Sequence, residues 1–245
     1  MATIATPAAV RIRRDRLFYT SMGVLIALVT VIGFSRSYYL SGWFTIPAGT
    51  PPMTWLLHVH GAIFTAWVVL MVVQPGLIAT RNLRVHRKLG YAGAAVATTM
   101  VVAGNLSAIA AMNGGFINLG DPFVFYAIPF FAINSFAVAV ALAIVWRNRP
   151  EAHKRLILLS NVGLLNAAVA RIPLDVIQSG APFTFMFLPN LITVAGMIYD
   201  WRSRGRVHKV WIWGGALMLL SQIVVFPIMG TAAWHRFAET MATLW

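Results

Sequence analysis

Between residues 17 and 230 the chain passes through seven long apolar stretches, over residues 17–40, 53–79, 91–112, 123–146, 156–178, 183–199 and 210–230. Each is near the ~20 residues that a helix needs to cross about 30 Å of hydrocarbon. No water-soluble fold hides so much apolar surface. Only 10% of the residues are charged, where soluble domains carry about 25%, and the mean hydropathy is +0.76. In lipid each backbone N–H must find a partner within its own segment, and an α-helix provides one. The expected fold class is all-α, a polytopic transmembrane bundle of about seven spans.

The net charge of +13 is not a nucleic-acid footprint, because the cations do not form one patch. They fall in four clusters at the ends of apolar runs: Arg11, Arg13, Arg14 and Arg16; Arg81, Arg84, Arg87 and Lys88; Arg147, Arg149, Lys154 and Arg155; Arg202, Arg204, Arg206 and Lys209. These make 16 of the 19 positive residues, all on one side of the expected bundle. The loops at 41–52, 113–122 and 179–182 contain no Lys or Arg. The positive-inside rule then puts the N-terminus inside and the C-terminus outside.

Three segments follow from this: a basic cytoplasmic tail over 1–16, the bundle over 17–230, and an outer interfacial tail over 231–245 that carries Trp234 and Trp245. The run after Arg16 is too long for a signal-peptide core and is read as an uncleaved first span. Pro75, Pro129, Pro173, Pro189 and Pro227 fall inside spans and are expected to kink them. With no cysteine, disulfides and thiolate metal sites are excluded.

An ionisable side chain at mid-membrane costs roughly 2.5–3.5 kcal/mol on insertion scales, so each one asks for a reason. The candidates are Arg36, His58, His60, Arg171 and Asp175, joined by the amide of Asn105; all map to the outer half of the bundle. His58 and His60 point about 160° apart on a helix. The recurrence of His60, Trp67 and Gln74 at seven-residue intervals favours His60 as the inward one. Arg171 and Asp175 are spaced for an ion pair on one helix face, or for Arg171 to hold an anionic group while Asp175 orients a His. At the basic loops, His86, Arg87, His153, Lys154, His208 and Lys209 sit at helix starts, where they can contact phosphates, carboxylates or lipid headgroups.

No Lys lies inside a span, which excludes a retinal Schiff base, and no Walker or Rossmann glycine motif is present. The segment from His58 to Gly90 reads H-x-H, then Trp67 and Gln74, then R-x-H-R-K-L-G, and H-K-R-L follows at His153 to Leu156. In these short motifs it resembles bacterial multi-spanning membrane proteins that are similar to b-type membrane cytochromes. The resemblance implies a bacterial inner membrane, haem b or a metal ion as cofactor, and His60 as an axial ligand. No His lies inside another span, so His235, just beyond the seventh, is the partner left for a metal or haem at His60.

Three functions stay open on this reading, and whether the chain is an enzyme is not decided by it. One is a haem- or metal-binding protein that transfers electrons, with a membrane redox partner. Another is a permease or a lipid- or small-molecule-binding protein. The third is an accessory subunit of a larger membrane complex. The lipid bilayer is a partner in all three.

Overall fold

The computed structural model describes residues 7–46, 50, 52–114 and 120–245, with side chains from Val10 onward. Residues 1–6 of the expected basic tail, and parts of two uncharged loops, lie outside the described residues. The described chain is helical. In order it forms α1 (Pro7–Phe34), extended by a π-helical turn over Ser35–Tyr39, α2 (Trp55–Ala79), α3 (Leu83–Asn113), α4 (Pro122–Val145) and α5 (Pro150–Val169). Two short helices follow, α6 (Asp175–Gln178) and α7 (Phe183–Phe187), then a 3-10 turn over Leu188–Asn190, α8 (Leu191–Arg204), α9 (Lys209–Met229) and α10 (Ala232–Ala242). Hydroxyl, amide and carboxylate caps mark several starts: Thr54, Asn82, Asp121 and Thr231 each accept a backbone N–H from the first turn that follows.

Six segments are long and apolar enough to cross a membrane: Val10–Tyr39, Trp55–Ala79, Leu83–Asn113, Pro122–Val145, Phe183–Arg204 and Lys209–Met229. This is an integral membrane protein. The expected fifth span is the exception. Its helix, α5, begins six residues before the expected start and ends at Val169, and it carries Glu151, Lys154, Arg155, Ser160, Asn161 and Asn166. The early end follows from Pro173, which has no N–H for the Val169 carbonyl and disfavours helical geometry at Ile172.

The packing shows why α5 need not be apolar. Thirteen of its twenty residues are buried, so its surroundings are protein rather than lipid. The apolar helices follow one another around it as α1, α2, α3, α4, α9 and α8, and α5 packs directly on α1, α4, α8 and α9. The expected sixth span is built from α7, the 3-10 turn and α8, the turn coinciding with Pro189. The tail beyond residue 230 is not simply interfacial. Its helix α10 docks on α3, α4 and α9, burying Trp234, whose Nε1 donates to the Phe123 carbonyl at 2.7 Å.

Helix α1 approaches its neighbours at two glycines. Pro75 has no N–H for the Met71 carbonyl, and that oxygen lies against Gly23, where a Cβ would collide with it. Gly33 lies against the Ala168 backbone at the end of α5 in the same way. Gly33→Ala should therefore force the helices apart and cost about 1–3 kcal/mol. Its melting temperature in detergent should fall, while Gly42→Ala, which meets open space, should melt with the native protein; equal melting of the two variants would contradict the packing.

Candidate functional site

At the end of the bundle away from the basic loops, α1, α2 and α5 meet. The π-helical turn places Tyr38 and Tyr39 against α2: the Tyr38 hydroxyl donates to the His58 carbonyl at 3.4 Å, and the Tyr39 hydroxyl pairs with Thr65 Oγ1 at 2.9 Å. His58 is exposed with its ring near Tyr38, and Arg36 donates to the Thr45 carbonyl at 3.4 Å. His60 is half-buried and stacks on Phe64 with ring centres 4.0 Å apart. Its ring lies beside the Ala103 carbonyl of α3, its Nδ1 has no hydrogen-bond partner, and the charge of Arg171 reaches it.

Arg171 and Asp175 do not share a helix face as expected. Arg171 lies in the turn after α5, where Nη1 donates to the Ala167 carbonyl at 2.7 Å and the guanidinium covers the Phe34 ring at 4.7 Å. Asp175 opens α6 and is exposed. Gln178 reaches back to the Ala170 and Ile172 carbonyls, satisfying the backbone where α5 stops. Among the described residues neither Arg36 nor Arg171 has a carboxylate within 4.0 Å. Two guanidiniums, two imidazoles and the rings of Phe34, Phe64, Tyr38 and Tyr39 thus lie toward one end of three helices, and among the described residues no carboxylate pairs with either guanidinium.

The remaining candidates serve the packing. Trp67 is buried and donates through Nε1 to Asn161 Oδ1 on α5 at 3.0 Å, tying α2 to the central helix. Asn105 accepts from Asn134 of α4 at 3.4 Å and donates to its own helix at Val101. Gln74 holds a buried, unpartnered Oε1 near Gly90. His235, expected as a second ligand for His60, instead faces Asp121, with Nε2 to Oδ2 at 3.5 Å, beside the Phe123 ring. Its helix packs on α3, α4 and α9. Among the described residues no three His, Asp or Glu side chains gather as a metal site.

The basic end holds a cluster that the sequence reading passed over. Arg155, counted there as a loop cation, is fully buried and grips Asp200, also fully buried, with Nη2 to Oδ1 at 2.5 Å and Nε to Oδ2 at 2.9 Å. Arg204 adds a contact to Asp200 at 3.0 Å, to Asp15 at 2.6 Å and to Glu151 at 3.2 Å. Lys154 bridges Asp15 at 2.8 Å and Glu151 at 2.7 Å, and Glu151 also accepts from Arg155 at 2.8 Å. The Tyr199 hydroxyl donates to Asp15 at 2.6 Å. Three acids and three bases from α1, α5 and α8 therefore neutralise one another. The available signal was the lone acid inside each of three basic clusters: Asp15, Glu151 and Asp200.

The basic-end residues expected to contact phosphates, carboxylates or lipid headgroups divide between partners within the chain and exposed positions. Lys154 turns inward to two carboxylates. His208 caps α9, its Nδ1 accepting from the Val210 N–H at 3.2 Å while its own N–H donates to Asp200 at 3.2 Å. His153 Nδ1 lies 2.9 Å from the Ala143 carbonyl, and His86 lies beside the Gln74 carbonyl. Arg87 and Lys209 remain exposed. Comparison with protein-family models, with curated proteins and with solved structures finds no match to this chain.

Asp200→Asn should destabilise the protein by about 3 kcal/mol, because it removes the buried one of the two carboxylates that neutralise the Arg155 guanidinium. Arg155→Met with Asp200→Leu should recover most of that loss, as read by thermal unfolding in detergent.

Burial alone would raise the Glu151 pKa, yet Lys154 and Arg155 hold it down at about 2. A carboxylate depressed in the folded state stabilises fully above its unfolded value and loses that contribution as pH falls through its folded value. The melting temperature should therefore decline as pH falls from about 4.5, the ordinary carboxylate range, toward 2, with a shallower decline in Glu151→Gln.

Proposed function

We propose that this protein binds an anionic, partly apolar small molecule at the end of the bundle formed by the π-helical turn of α1, the start of α2 and the end of α5. Arg171 supplies the charge, Arg36 adds to the field, His60 offers a free ring nitrogen, and Phe34, Phe64, Tyr38 and Tyr39 supply apolar contact. The single observation behind the reading is the Arg171 guanidinium over the Phe34 ring, with no carboxylate within 4.0 Å among the described residues, at an end of the bundle that also holds an imidazole whose Nδ1 has no partner. A guanidinium forks onto a carboxylate or phosphate and can form charge-assisted hydrogen bonds. The expected orientation would turn this site toward the outside of a bacterial inner membrane, as in a permease or a membrane-bound receptor.

The free Nδ1 of His60 favours one second reading, in which that nitrogen takes an axial position on haem b or a metal ion and Arg171 neutralises a propionate. A visible absorption band in the purified protein that His60→Ala abolishes would support it over the first.

The first reading is tested with 1-naphthoate and its uncharged control 1-naphthalenemethanol, by saturation-transfer NMR on the detergent-purified protein. Naphthoate should bind and the alcohol should not. Arg171→Gln should weaken naphthoate by about 1.5–3 kcal/mol, the worth of a hydrogen bond to a charged group, which is roughly ten-fold or more. Equal binding of both probes, or an unchanged Arg171→Gln variant, would refute the proposal.

A further inference from the structure

At the basic end, an open groove of about 410 Å³ separates α1 from α8, lined by Arg14, Ala195, Ile198, Tyr199, Arg202 and Ser203. It lies where the circle of helices around α5 closes least tightly, since α8 packs chiefly on α5 and α9. The two helices are joined there by side chains: Phe18 stacks on Tyr199 with ring centres 4.0 Å apart, and Asp15 accepts from Tyr199 and Arg204. We propose that this groove seats an anionic phospholipid from the adjoining leaflet, its phosphate between Arg14 and Arg202 and an acyl chain along Ile198 and Ala195.

Charge complementarity is the first argument. The neighbouring acids are already occupied: Asp15 by Lys154, Arg204 and Tyr199, Glu151 by Lys154, Arg155 and Arg204, and Asp200 by Arg155, Arg204 and the His208 N–H. Arg14 and Arg202, exposed beside that neutral cluster, are the two cations that line the groove, and among the described residues neither has a carboxylate within 4.0 Å. The groove therefore carries two positive charges that no carboxylate among the described residues answers.

Its shape along α8 selects a lipid over a free anion. Ala195, Ile198 and Arg202 follow at spacings of three and four and so lie along one face. Ala195 is about 10 Å deeper along the axis than Arg202, at 1.5 Å per residue. A cation at the membrane boundary with an apolar track leading inward matches a headgroup with its chain, whereas a soluble phosphate would use only the upper end. Surface arginines near anionic lipid contribute roughly a five-fold factor each.

The test uses the full chain in a mild detergent, with native mass spectrometry reading bound phosphatidylglycerol against phosphatidylcholine of the same acyl composition. Phosphatidylglycerol should be retained in preference. Arg14→Gln with Arg202→Gln should lower its retention by about twenty-five-fold, two such factors together, while Arg206→Gln, an exposed loop cation, should not change it. Ala195→Trp, which fills the apolar track and leaves both charges, should also displace the lipid; this keeps the proposal testable if the double variant does not fold. Equal retention of the two lipids, full retention by the folded double variant, or displacement by millimolar inorganic phosphate would overturn it.

Discussion

Arg155 and Asp200 meet with both side chains fully buried, and the rest of the structure is arranged so that they can. In such surroundings the mutual attraction of two charges and their loss of hydration are both large and of opposite sign, so the net gain in stability is modest. The exclusion of alternatives is not modest. Sliding α5 by one turn against α8 would leave a bare guanidinium and a bare carboxylate inside the bundle. The pair therefore fixes register between the central helix and one outer helix, and Asp15 carries the same constraint across to α1 through Arg204 and Lys154.

That constraint explains the inversion seen in the packing. In a soluble protein the polar helices face out; here the most polar long helix, α5, is enclosed and the apolar ones face the lipid. Hydrocarbon rewards apolar exteriors, and it gives polar side chains nowhere to go but inward. Trp67 to Asn161, Asn105 to Asn134 and Asn190 to Gln222 are contacts of this kind, each joining two helices through an otherwise apolar interface. The two ends of the bundle then differ in kind. Six charges at the basic end cancel one another, whereas Arg36, Arg171, His58 and His60 at the other end meet rings and carbonyls instead of acids.

Much of the fold was legible because the driving pattern is one-dimensional. Apolar runs of about twenty residues broken by basic loops declare spans whatever surrounds them, and α2, α4 and α9 begin and end within two residues of expectation. The candidate site was legible only in part. His60, Arg36 and Arg171 stand out because ionisable groups are rare in such runs, but the spacing of Arg171 and Asp175 implied one helix face that Pro173 interrupts. Asp15, Glu151 and Asp200 drew no attention, since single acids among basic residues look like solvated loop charges until the partners that bury them are known.

What the sequence determined by itself is therefore the solvent: lipid around the spans, water at the basic loops, and helix as the secondary structure that reconciles the backbone with both. What only the tertiary structure decided is which polar groups answer one another. Arg155 and Arg14 are the same residue type at the margins of apolar runs, yet one is enclosed by Asp200 and Glu151 and the other faces an open groove. Electrostatic pairing depends on distance in space between residues far apart in the chain, and no local pattern of hydropathy or charge encodes that distance.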